Sequence, residues 1–321
     1  MIGRRRHRHH RGVRAAPIAA ALALAALAAT GAAESELELP PVAVPDELWQ
    51  PLRESVDPEL DRGLRRAVEQ RPAWKTLAQR KKLGICLVDL ADPSHPRFAQ
   101  VNGNAMMYAA SLPKIALLLA AYESFEDGSL EETPEVQAEM TAMIRTSSNS
   151  AATAIIDRVG FEKIASVVSD PRYRLYDQGR GGGLWVGKRY AQEGRRHPDP
   201  LAGISHAATA TQVCRFYYLL ATGRMISPER SRQMLGHLAD PGLHHKFVGV
   251  IEKRAPLARL FRKSGTWKQW HSDSALVWGP VWRRYILVAM VESEQGDALL
   301  RELVPVAEGL LRPPDLPAPV P

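Results

Sequence analysis

A serine and a lysine three positions apart stand at the entrance of an apolar run, in which Met106 to Tyr122 reads MMYAASLPKIALLLAAY. If that run is a helix, Ser111 and Lys114 face the same way. From Ile115 onward it is apolar on every side and is expected to be buried. A lysine at the mouth of a buried helix loses hydration, its pKa falls, and its neutral amine can accept a proton. A serine hydroxyl is a poor nucleophile until such a base takes its proton. The unpaired backbone N–H groups of a helix N-terminus can stabilise a developing oxyanion. Pro113 suits the first turn, where its missing N–H costs nothing. The chemistry on offer is acyl transfer. The plainer reading is an N-cap serine followed by an exposed lysine.

Two further clusters bear on that choice. MIRTSSNSAAT supplies Ser147, Ser148 and Asn149, and LFRKSGTWKQW supplies Lys263, Ser264, Gly265 and Thr266. Taken singly, Ser147 and Asn149 can cap a helix that begins near Ala151, and Lys263 can be a solvated edge-strand charge. Taken in order, S-x-x-K, S-x-N and K-S-G follow a signature of serine β-lactamases and penicillin-binding proteins. From about Leu83 to the C-terminal helix, the chain resembles the class A β-lactamase and penicillin-binding transpeptidase superfamily. Tyr108, three residues before the serine, matches it, as does the late run KSGTWKQWHSDSALVWGPVWRRYILVAMVE.

The resemblance implies a role for each position. Ser111 is the nucleophile that forms an acyl-enzyme, and Lys114 activates it. Ser147 passes a proton to the leaving nitrogen. Asn149 holds the substrate amide and helps to fix Lys114. Lys263 supplies positive field for a substrate carboxylate, which Ser264 binds. Gly265 lets substrate backbone lie along its strand. The N–H groups of Ser111 and Thr266 form the oxyanion hole.

The chain also departs from the family. Ser148 stands where class A β-lactamases usually carry aspartate. Those enzymes deacylate with a loop glutamate followed closely by a leucine-asparagine pair, and no E-x-x-L-N follows Ser169 here. The acids of that region are Asp170, Asp177, Glu193 and Asp199. By position Asp177 is the best substitute and Glu193 the next, although a surface role is the default for each. Without a placed base an acyl-enzyme clears slowly. Gly179, Gly181, Gly182 and Gly183, followed by Leu184 and Trp185, read either as a turned loop that roofs the site or as a surface loop with one aromatic anchor. His206, His244, His245 and His271 lack metal-ligand spacing and read as structural, with His271 expected to line the cleft. No metal and no cofactor is expected.

These residues need elements to position them. A helical pattern spans about Pro58 to Arg80, and LGICLVDL and RFAQVNG read as two strands. Helices are expected over Pro134–Ile144, Ala151–Val159 and Ala210–Ala221. Three strands, Leu260–Trp267, Ser274–Trp278 and Arg284–Val291, precede a last helix at about Ala298–Leu311. Strands at both ends and helices between predict an α/β (α+β) sandwich, an antiparallel sheet of about five strands flanked by helices with a helical subdomain. The sheet parts are about 58–110 and 255–312, and the helical insertion is about 111–254. Residues 34–57, acidic and proline-rich, read as a linker to the domain at 58–312, and 313–321 as a disordered tail.

Composition limits the function classes. The chain has 321 residues, 45% hydrophobic and 24% charged, as a globular protein does. Its net charge is +7, but residues 1–33 hold six arginines and no acid, which leaves +1 for the rest and no argument for a nucleic-acid partner. That segment, a basic start followed by an Ala/Leu run of about 15 residues and then small residues, reads as a signal peptide, with an uncleaved anchor as the other reading. The protein is expected to be periplasmic or extracellular, with a membrane tether only if the segment stays uncleaved. Cys86 and Cys214 lie in apolar elements, where free thiols and a bridge are both open. The expected partner is a β-lactam or a cell-wall peptide. The rival readings are a non-catalytic envelope protein that binds a wall fragment and a glutaminase-like amidohydrolase.

Overall fold

The structure is a computed structural model that describes residues 2–3, 39–280 and 282–316. The chain divides into two units, Met1–Leu37 and Glu38–Pro321. Apart from Ile2 and Gly3, the expected signal peptide lies outside the described residues. No described helix is long and apolar enough to cross a membrane.

The second unit opens with α1 (Pro58–Glu69) and α2 (Pro72–Gln79). The sequence pattern reads as one helix here. Pro72 lacks the N–H that would continue α1, so the chain restarts with Pro72 in the first turn of α2. Strands β1 (Leu83–Asp89) and β2 (Arg97–Val101) follow, then the short β3 (Met107–Tyr108). The helical region holds α3 (Lys114–Glu126), α4 (Pro134–Arg145), α5 (Asn149–Val159) and α6 (Phe161–Ser169). Four short strands come next: β4 (Tyr176–Asp177), β5 (Gly182–Gly183), β6 (Trp185–Val186) and β7 (His206–Ala208). Then come α7 (Ala210–Ala221), α8 (Pro228–Leu238) and α9 (Phe247–Arg254). The chain closes with β8 (Arg259–Trp267), β9 (Trp270–Trp278), β10 (Arg284–Glu292) and α10 (Gly296–Leu311).

The expected sheet is present. Five antiparallel strands run in the order β2-β1-β10-β9-β8, so the two ends of the domain meet where Leu83 pairs with Val291 and Asp89 with Tyr285. Every residue of β1 is buried, because helices cover both faces of the sheet. That is why LGICLVDL reads as a continuous apolar run instead of alternating. On one face Ile85, Leu87, Leu287 and Val277 pack with Leu64 of α1, Phe247 of α9 and Leu303 of α10. On the other, Cys86 of β1 is joined to Cys214 of α7 by a disulfide, which settles the open reading of the two cysteines.

Two boundary expectations are corrected. Residues 39–57 are not a free linker: Leu52 is buried, Val42 N–H donates to the Ala221 carbonyl, Trp49 stacks on Tyr218, and Val56 bridges to Phe98 of β2. The valines, Leu52 and Trp49 give this proline-rich stretch enough apolar surface to pack along the body. At the other end, Leu316 packs against the core, so the segment expected as a tail is partly docked; residues 317–321 lie outside the described set.

Candidate active site

Ser111 sits in the turn that leads into α3, and the Lys114 N–H closes that turn on the Ser111 carbonyl at 3.3 Å. Ala110, just before the serine, has φ +50°, a strained conformation for a residue with a Cβ. Burial of α3 from its first residue through Ser124 carries Lys114 inside with it, so the reading of an exposed first-turn lysine does not hold. Its Nζ donates to the carbonyls of Ser147 (2.7 Å) and Ser148 (3.2 Å) and to Asn149 Oδ1 (2.8 Å). Burial lowers its pKa to about 7. The Ser111 hydroxyl makes no hydrogen bond to a described residue and borders the cleft.

The second cluster divides its labour. Ser148 is the N-cap of α5, and its Oγ accepts from the Ala151 N–H at 3.2 Å. With the cap filled, Asn149 turns its Oδ1 to Lys114. Ser147, at φ +59°, places its Oγ 3.5 Å from Lys114 Nζ and 2.9 Å from Lys263 Nζ. Lys263 is buried, not a solvated edge charge, and burial, reinforced by the nearby Lys114, holds its pKa well below the ordinary lysine value.

Strand β8 reaches this cluster because Gly265 has no side chain. A Cβ there would stand 2.2 Å from the Ala109 carbonyl oxygen and 2.7 Å from the Ser111 nitrogen. The glycine is thus needed for the approach of β8 to the serine turn, whatever it does for substrate. Ser272 on β9 holds the same junction by donating to the Ala109 carbonyl at 2.9 Å. Ser264 is nearly buried and lies outside the residues that line the cleft, whereas Thr266 lines it.

The cleft has a volume of about 940 Å³. Ser111, Asn149 and Thr266 border it, with Tyr108, Tyr190 and Trp270 as aromatic walls. No acidic residue among the described residues lines it. Three of the four candidate loop acids are engaged elsewhere, and Glu193, although it follows cleft-lining Gln192, is not among the lining residues. Asp199 is buried, accepting from Tyr176 and from the N–H groups of Leu201, Ala202 and Ile204. Asp170 pairs with Arg172, Asp177 lies 3.6 Å from Arg180, and Glu193 is exposed.

Three residues of the site were not identified as such in the sequence. Tyr190 has its ring 4.4 Å from Lys114 Nζ and stacks on His206 with 4.2 Å between centroids. His206 lines the cleft, its pKa lowered to about 4 by burial and by the charge of Lys114, and its Nδ1 has no hydrogen-bond partner among the described residues. Lys246, behind β8, donates to the Gly265 and Ser272 carbonyls and to Thr266 Oγ1. His271, expected at the cleft, faces the start of α10 beside Gly296 instead. The glycine cluster does not line the cleft either: Gly182 and Gly183 pair with β4, and Trp185 is a buried anchor stacked on His197. No group of three or more His, Cys, Asp or Glu among the described residues is placed to hold a metal.

A five-stranded antiparallel sheet with a serine, two buried lysines and an S-x-N turn at its edge defines the β-lactamase-like class of serine hydrolases. A sequence profile of the Beta-lactamase enzyme family matches residues 69–140 and 132–305, and the chain belongs to that family. Among solved structures, the β-lactamase from Sphaerobacter thermophilus DSM 20745 is similar at a TM-score of 0.58 and 19% identity, over 78% of this chain and 98% of that one. PBP-A is similar at a TM-score of 0.58 and 17% identity, over 79% and 96%. An ancestral class A β-lactamase (GNCA) is similar at 0.57 and 18% identity, over 75% and 98%. No curated protein matches the chain.

Proposed function

We propose that this chain is an exported serine acyl-transfer enzyme that forms an acyl-enzyme through Ser111 on a β-lactam or a peptidoglycan-like amide, and that it releases the acyl group slowly. The observation that carries this reading is the position of Ser147 Oγ between two buried lysines, with Lys114 one helical turn from Ser111. The neutral amine of Lys114 takes the Ser111 proton as Oγ attacks the carbonyl carbon. The oxyanion is received by the N–H groups of Ser111 and Thr266. As the C–N bond breaks, Ser147 gives its proton to the leaving nitrogen and regains one from Lys114. In its protonated form Lys263 lends positive field to Ser147 and to a substrate carboxylate, which Thr266 on the cleft wall receives. Deacylation needs a base to activate water, and the cleft wall carries no acid. Export into an oxidising compartment is in keeping with the Cys86–Cys214 bridge.

The test is the intact mass of the protein followed over time after mixing with a penicillin and a cephalosporin. The expected result is an adduct of the full β-lactam mass that persists for many turnover times of an ordinary hydrolase and is absent in Ser111→Ala. Rapid loss of the adduct with release of product would overturn slow deacylation. No adduct with either compound would remove the acyl-enzyme reading.

A further inference from the structure

The acid-free cleft carries more positive charge than the acylation chemistry uses. The segment that leaves β6 contributes Lys188, Arg189 and Arg196 to the cleft wall. Arg189 is neutralised by Asp157, with Nε to Oδ1 at 2.6 Å. Lys188 donates to the Gln192 carbonyl at 2.8 Å, a neutral partner that leaves its charge uncompensated. Arg196 is exposed and makes neither an ion pair nor a hydrogen bond with a described residue. Both charges are felt inside the site, since they act with Lys114 to depress the pKa of His206, which therefore stays neutral and adds no cation of its own.

The place of this wall relative to the reacting serine follows from the small sheet, ordered β3-β7-β6. Strand β3 leads into Ser111, and Gly265 of β8 touches the serine turn. The Lys188 segment leaves the other edge, two strand spacings or about 10 Å away. Tyr190, stacked on His206, fills the interval. Two cationic regions thus flank the serine, one at Lys263 and Thr266 and the other at Lys188 and Arg196, with aromatic surface between them.

We propose that Lys188 and Arg196 form a second anion subsite that receives a carboxylate on the acyl side of the substrate, so that the preferred substrates are dianionic amides. This rests on the reading of Ser111 as the nucleophile only for which side of the scissile bond the second anion lies on. Binding itself needs no acylation. Two opposite charges held across a partly desolvated cleft are favoured over one, and the gain falls with ionic strength.

The test uses two penicillins that differ by one carboxylate on the side chain, benzylpenicillin and its α-carboxybenzyl analogue. Their dissociation constants are measured calorimetrically on the full chain carrying Ser111→Ala, and their acylation rates on the unmodified chain. The expected result is about tenfold tighter binding of the dianion at low salt, shrinking at 0.5 M salt. The preference should fall to about one when Lys188→Ala and Arg196→Ala are added. Equal affinities, or a preference that survives both substitutions, would sink the subsite, as would failure of either compound to bind. Preferential binding without acylation by either compound leaves the subsite standing and removes the acyl-enzyme reading. Acylation without preference does the reverse.

Discussion

Proton inventory decides what Lys114 can do. Three hydrogen bonds of 2.7–3.2 Å to oxygen acceptors, with Ser147 Oγ a longer fourth at 3.5 Å, suit an ammonium, which has three donors. Burial works against that charge and brings the pKa to about 7, so near neutrality both forms are populated. Only the neutral form can take the Ser111 proton. The acylation rate constant is therefore expected to rise as pH increases through about 7 and to level above it, measured by stopped flow with a reporter β-lactam. Lys114→Ala should lower it by roughly 10²- to 10⁴-fold, the usual contribution of a placed base. A rate that is flat between pH 6 and 8.5, or unchanged by the substitution, would assign the base elsewhere. The three motifs that place this group were legible because each is a short contiguous run. Capping propensity alone does not separate Ser147 from Ser148, since either satisfies the sequence rule for a cap; only the order of the motifs pointed to Ser147 as the inward one. Tyr190 and Lys246 were silent for another reason. Each reaches the site through tertiary packing, and the only local signal was the basic-aromatic run KRYAQ.

At the scale of elements, the site depends on how closely β8 can approach the turn before α3. Gly265 is the point of contact, and the Ala109 carbonyl leaves no room for a methyl group. Gly265→Ala must push β8 or the serine turn outward, and Lys246 and Ser272 hold both sides of that junction. The expected cost is about 1–3 kcal/mol of stability, as for overpacking, read from denaturant unfolding. Acylation should fall by more than tenfold because the Ser111 and Thr266 N–H groups, the proposed oxyanion hole, separate. Retention of full acylation by a stably folded Gly265→Ala protein would contradict this account of the junction. The long elements were legible in the sequence: β1, the three late strands and α7 each carry an unbroken pattern. Short pieces were not. The strands β3 to β7 are two or three residues long and exist through their pairing partners, while α6, α8 and α9 lie in stretches broken by polar and charged residues.

In the whole molecule, the sheet and the helical region meet at α7, which lies on the face of the sheet away from α1, α9 and α10 and carries Tyr217, whose hydroxyl bonds to Ser274 of β9 at 3.0 Å. Cys86 and Cys214 join the two parts covalently across 128 residues of sequence, both fully buried. The apolar patterns placed each cysteine inside, but facing directions depend on how α7 lies across β1, which no local pattern encodes. A crosslink over so long a loop restricts the unfolded chain more than the folded one, and loss of such a bridge typically costs about 2–5 kcal/mol. The folded state has an independent reason to persist, because both cysteines are fully buried where α7 packs on β1 and β10. Cys86→Ala with Cys214→Ala is therefore expected to leave a folded protein that still acylates, with its melting temperature lowered by roughly 5–15 °C at the usual few degrees per kcal/mol for a domain of this size. Reductant should lower the melting temperature of the unmodified chain toward that of the variant and leave the variant unmoved. A melting temperature insensitive to both treatments would mean that the bridge contributes nothing to the folded state's advantage and that packing of α7 on β1 suffices to hold the serine turn against β8.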